Sequence, residues 1–111
     1  MQPKNIALLA RSAGEDKKAE NPVILNIAKL TSIAHYFLVM HGNSDRQVVT
    51  IAEHIVETLK KNEKIRPLHV EGLQTGNWVV IDYGSVIVHV FHHETRDFYG
   101  LERLWGEAAR V

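Results

Sequence analysis

The stretch VMHGNSDRQVV (Val39–Val49) joins an apolar run to an amphipathic one through Gly42, Asn43 and Ser44. A glycine and a serine between a strand and a helix often hold a phosphate. This junction therefore separates a nucleotide-binding α/β protein from a plain strand–helix connection. A P-loop needs a lysine beside the serine and further glycines, and a dinucleotide fingerprint needs three spaced glycines. Neither is present. Metal-assisted phosphate chemistry would need clustered carboxylates. Glu71 is followed by Gly72, and Asp82 by Tyr83 and Gly84, so no pair of acids spaced by one residue stands on a later strand. The same residues do make a helix start. Ser44 can accept the N–H of Gln47, and Gln47 can reach back to the N–H of Ser44, with Asp45 adding favourable charge to the first turn. Gly42 lets the chain turn sharply off the strand. Ser44 and Gln47 are a structural helix cap.

Downstream of the cap, Val48, Ile51, Ala52, Ile55 and Leu59 form one apolar stripe, while Arg46, Glu53, Glu57 and Lys60 fall off it. Ser44 to Lys61 is therefore a helix. Lys60 and Lys61 suit its negative end, and Asn62 can take the left-handed position after it. Upstream, YFLVM (Tyr36–Met40) and VILNIAKL (Val23–Leu30) are short, rich in branched and aromatic side chains, and predict strands. TSIAH between them predicts one helical turn. Ile6, Leu9, Ala10 and Ala13 recur at helical spacing, so Pro3 to about Ala19 predicts a helix, weakened at Gly14 by roughly 1 kcal/mol against alanine.

Three more strands follow in PLHVEG, WVVID and VIVHVF. DYGS (Asp82–Ser85) links the last two as an antiparallel hairpin. VIVHVF is apolar on both faces, which predicts a central strand covered twice. In RDFYGLERLW, Phe98, Leu101, Leu104 and Trp105 would make an apolar helical stripe. The whole predicts one α/β (α+β) domain over residues 1–111, a mixed sheet of about five strands with helices packed on its faces.

The chain is 45% apolar and 23% charged, the balance of an ordinary globular protein. Thirteen basic and thirteen acidic side chains cancel. That argues against gripping nucleic acid through its phosphates, which needs a basic surplus on one face. There is no cysteine, so thiolate chemistry and thiolate metal sites are excluded. No apolar run reaches a membrane span, and acids follow the first residues too soon for a signal peptide. A cytoplasmic location is expected.

HVFHHETRD (His89–Asp97) offers nitrogen and oxygen ligands at short spacing. His89, however, sits inside a strand, while His92 and His93 point in opposite directions if the strand continues. A buried, hydrogen-bonded His89 and no metal site are expected. Ser85, His89 and Asp82 lie close in sequence, but Ser85 is accounted for by its turn. Arg96, Asp97, Glu102 and Arg103 suggest a solvated helical face. Trp78, Tyr83 and Tyr99 could be rim packing or a docking surface. No catalytic constellation and no cofactor site emerge.

DKKAE, YF, GNSDRQV, EGL, W, DYGSVIVHVF and RDFYGLERLWG come in the order and spacing of the ribosomal silencing factor, or Iojap, family, which the chain resembles from about Asp16 to Gly106. The resemblance implies a domain shaped like nucleotidyltransferases but lacking their catalytic carboxylates, and a function without catalysis. Family members bind large-subunit ribosomal protein number fourteen at the intersubunit face and block joining of the small subunit, lowering translation when nutrients are scarce. The alternatives are a ribosome-assembly factor on the large subunit and a degenerate nucleotidyltransferase using Gly42 and Ser44. No sequence-specific nucleic-acid contact and no membrane are implied, and a homodimer is a candidate state of the free chain.

A basic ribosomal protein calls for a shallow aromatic and acidic docking surface. Trp78, Asp82 and Tyr83 match family positions on or beside one hairpin and so are expected to share a face. Tyr99 and Glu102 are i,i+3 neighbours on the expected terminal helix, turned away from the Phe98–Leu101–Trp105 stripe. The family commonly has aspartate where this chain has Asn26, His35, Ser85 and Gly100. Fewer acids imply weaker electrostatic steering toward a basic partner.

Overall fold

The junction at Gly42–Ser44 is a strand–helix connection in the computed structural model, which describes all 111 residues. In chain order the elements are α1 (Pro3–Asp16), β1 (Glu20–Asn26), β2 (Tyr36–Gly42), α2 (Asp45–Glu63), β3 (His69–Glu71), β4 (Trp78–Asp82), β5 (Val86–His92), α3 (His93–Tyr99), α4 (Leu101–Leu104) and β6 (Ala109–Arg110).

The Ser44 hydroxyl accepts from the Gln47 N–H at 3.0 Å, as a cap should. Gln47 does not return the bond to Ser44. Its Oε1 accepts instead from the Asn43 N–H at 2.7 Å, and its Nε2 donates to the carbonyls of Lys17 and Lys18 at 3.2 and 3.1 Å. Gln47 thus ties the start of α2 to the turn that ends α1. We expect Ser44→Ala to cost about 1 kcal/mol, and Gln47→Ala about 2 kcal/mol because it removes several hydrogen bonds at once. Urea unfolding measures both, and equal losses would show that the tie to α1 contributes nothing. Both side chains are thus engaged in bonds that hold the start of α2 in place.

All five stripe residues of α2 are fully buried. The helix runs past Asn62, and Lys64 (φ 56°) takes the left-handed position instead. The Lys64 N–H returns to the Lys60 carbonyl and the Ile65 N–H to that of Leu59. Ile65 packs against the core just beyond this stop, the apolar contact that accompanies such a terminus. Helix α1 ends at Asp16, short of Ala19, where Lys18 (φ 64°) reverses the chain. Gly14 is tolerated inside α1 because a Cβ there would stand 2.5 Å from Met40 Sδ; the helix presses directly on β2.

The six strands lie in the order β3–β4–β5–β2–β1–β6, and only β2 and β5 run parallel. β5 is central and buried on both faces along most of its length, and β4–β5 is the expected hairpin. The expected five strands become six because Ala109 and Arg110 pair with Asn26 and Leu25. β1 begins at Glu20 and stops at Asn26. The single helical turn follows it directly, with the Thr31 N–H on the Ile27 carbonyl at 3.1 Å, rather than falling on TSIAH.

Helices α1 and α2 cover one face of the sheet, where Ile24, Leu38, Met40, Val79, Ile81, Val86, Val88 and Val90 complete the main core. The C-terminal segment covers part of the other face. It is not one helix: Gly100 adopts φ 56° and breaks it into α3 and α4. Leu101 and Trp105 pack on Leu25, Ile27, Ala34 and Phe37, whereas Phe98 is 81% and Leu104 75% exposed. The continuous apolar stripe does not form because the break rotates Phe98 and Leu101 out of a common face. No helix is long and apolar enough to cross a membrane.

Candidate docking face

Side chains alternate along β4, so Val79 and Ile81 enter the helix-covered core while Trp78, Val80 and Asp82 belong to the opposite face. Trp78 stacks on Phe91 of β5 with ring centroids 4.9 Å apart, and Tyr99 of α3 leans on it at the same distance. The indole Nε1–H donates to His89 Nδ1 at 3.1 Å. Phe98 meets the edge of Tyr99 at 5.2 Å. With Asn77, Glu94 and Thr95, the rings of Trp78, Phe98 and Tyr99 bound a shallow groove of about 370 Å³. Trp78 and Tyr99 are therefore brought together, on a base formed by the sheet.

Beneath α3 lies a polar anchor. Arg96, expected on a solvated face, is only 6% exposed. Its Nε donates to Glu102 at 2.7 Å, and its Nη1 to His41 Nδ1 at 2.9 Å and to the Glu20 carbonyl at 3.4 Å. One guanidinium thus joins α3 to α4 and to the ends of β1 and β2.

A family model described as "Ribosomal silencing factor during starvation" matches residues 1–111. The chain belongs to the ribosomal silencing factor family. A Bacillus subtilis protein named Ribosomal silencing factor RsfS is 43% identical over 108 residues, covering 97% of this chain and 91% of that one. A crystal structure of a Chromobacterium violaceum protein superposes with a TM-score of 0.92 at 38% identity, covering 96% of this chain and 88% of that one. A more distant mouse relative, "Mitochondrial assembly of ribosomal large subunit protein 1", is 27% identical over 92 residues, 80% of this chain and 40% of its own.

Three of the residues expected at the family's docking site have other surroundings. Tyr83 is 9% exposed and points into the helix-side core, opposite Trp78, because it lies an odd number of residues along β4 and its continuation. Burial pushes its hydroxyl up to about 12. Asp82 stays on the Trp78 face, but its carboxylate accepts the Gly84 N–H at 2.7 Å and closes the hairpin turn. Glu102 is no helical neighbour of Tyr99, since Gly100 separates their helices. Its carboxyl is held below the usual range by the Arg96 hydrogen bond. Phe98, expected in the core, is the exposed aromatic of the face; the glycine two residues on was the signal that its helix would stop.

His89 is buried and hydrogen-bonded as expected, its ring edge-on to Phe37 at 4.8 Å. Because Nδ1 accepts from Trp78, the ring is neutral with its proton on Nε2. Desolvation lowers its pKa from 6.5 to about 4. The unfolded chain then binds this proton more readily than the folded one, so stability is full above about pH 6.5 and falls as pH drops toward 4. Between pH 7 and 5 the loss from this group should be about 2 kcal/mol. Urea unfolding at both pH values should show His89→Gln losing correspondingly less than the parent. Equal losses would place the titration elsewhere.

Proposed function

We propose that this chain represses translation without catalysis, by docking on the large ribosomal subunit in the cytoplasm and sterically blocking the small one. The partner surface is large-subunit ribosomal protein number fourteen, as the family resemblance implies. The observation that carries the reading is Phe98, a phenylalanine held in water on a rigid aromatic platform. Large exposed apolar side chains grouped in this way mark surfaces that another molecule buries. Trp78 and Tyr99 supply the walls, and Glu94 in the same groove supplies negative charge toward a basic partner.

Subunit joining followed by light scattering tests this reading. Excess protein should slow joining of purified subunits, and a crosslinker should connect it to ribosomal protein number fourteen. Joining at an unchanged rate under saturating protein would overturn the proposal. The name of the mouse relative favours a second reading, assembly of the large subunit through the same face. In that case, depleting the protein should leave incomplete large subunits, and added protein should not affect mature ones.

A further inference from the structure

A second groove, of about 650 Å³, has a wholly different character from the aromatic one. Its wall consists of Arg96, Asp97, Glu102, Arg103, Arg110 and two glycines, with no apolar side chain. Three guanidinium groups reach it from α3, α4 and β6. Glu102 is committed to Arg96 at 2.7 Å, while neither Arg103 nor Arg110 has a carboxylate within 4.0 Å. Arg96 is buried on the groove wall, and its Nη2 makes no hydrogen bond.

Gly100 contributes by what it lacks. A Cβ there would stand 2.5 Å from Arg103 Nη2, so the guanidinium rests against bare backbone. The groove thus holds three cations against two carboxylates, inside a chain whose total charge is zero. Planar guanidinium forks match the paired oxygens of phosphate, and lysine, the looser point charge, is absent from the wall.

We propose that this groove binds a phosphate-class oxyanion. Free phosphate and the phosphodiester backbone of RNA present the same chemistry. The second source rests on the ribosome-docking reading above; the site itself does not. It grips charge and reads no base.

The test is an NMR titration of the full chain with inorganic phosphate at constant ionic strength, following the arginine Nε–H signals. Arg103 and Arg110 should shift saturably. Arg103→Ala and Arg110→Ala should each weaken the apparent affinity about tenfold, as expected for loss of a charge-assisted contact. Both side chains are exposed, so melting temperatures without phosphate should match the parent, and Lys61→Ala on α2 should bind like the parent. A parallel anisotropy titration uses a short single-stranded RNA. Tighter RNA binding lost in the same two variants identifies the backbone as the source; saturation by phosphate alone identifies a free anion. Absence of saturable shifts, or equal affinity in the parent and both arginine variants, overturns the site. Inhibition of subunit joining is read separately, so failure of the groove and failure of the ribosome reading give different results.

Discussion

Phe98→Ala should weaken cosedimentation with purified large subunits about thirtyfold while leaving the melting temperature essentially unchanged. The two effects separate because the side chain is 81% exposed in the free protein and meets Tyr99 in a T-shaped contact. Truncating it removes little buried surface, so the folded state loses little. A partner that covers the ring fully loses a central aromatic anchor, typically worth about 2 kcal/mol or more, which is the thirtyfold. Trp78→Ala is a poorer test, since that indole also stacks on Phe91 and donates to His89, and its loss would disturb the sheet. If Phe98→Ala cosediments like the parent at equal melting temperature, the partner docks elsewhere.

Arg96→Ala should lower stability by about 3 kcal/mol, the largest effect we expect of any charged residue. Removing one member of a buried pair typically costs this much because the other members are left without partners. Here the loss would strand Glu102, free the His41 ring nitrogen and take this donor from the Glu20 carbonyl. Glu102 is itself about a quarter exposed and can recover water, which keeps the estimate at the low end. The same change should loosen α3 from the sheet, so amide exchange across His93–Tyr99 should accelerate and ribosome cosedimentation should fall with it. Glu102→Gln, which keeps an acceptor and loses only the charge, should cost about 1 kcal/mol. A loss below 1 kcal/mol for Arg96→Ala in urea unfolding would show that α3 is held by its apolar contacts instead.

Much of this was legible from local pattern. The α2 stripe, the Ser44 cap, the β4–β5 hairpin and the doubly covered β5 all follow from spacing over a few residues, because the helix and strand periods assign each side chain to a face. The burial of His89 was legible for the same reason, sitting as it does in an apolar strand. The candidate docking face was only partly so. Trp78 and Tyr99 are brought together across β4 and α3, but Tyr83, one residue past the end of β4, turns into the opposite face of the sheet.

By itself, then, the sequence determined α1, α2, the five strands β1 to β5, their order and the core of the helix-covered face, since each of these depends on hydrogen bonds and periodicity within one segment. Tertiary structure alone decided the rest. Arg96 is buried because Glu20, 76 positions earlier, offers its carbonyl where α3 lands. Ala109 and Arg110 become a strand because β1 presents an open edge to them. Phe98 faces water, and Arg103 and Arg110 reach one groove, because the chain turns at Gly100 and must cover a sheet face whose shape is made by other strands. Such outcomes depend on free energies of contact between distant segments, and no local spacing carries them.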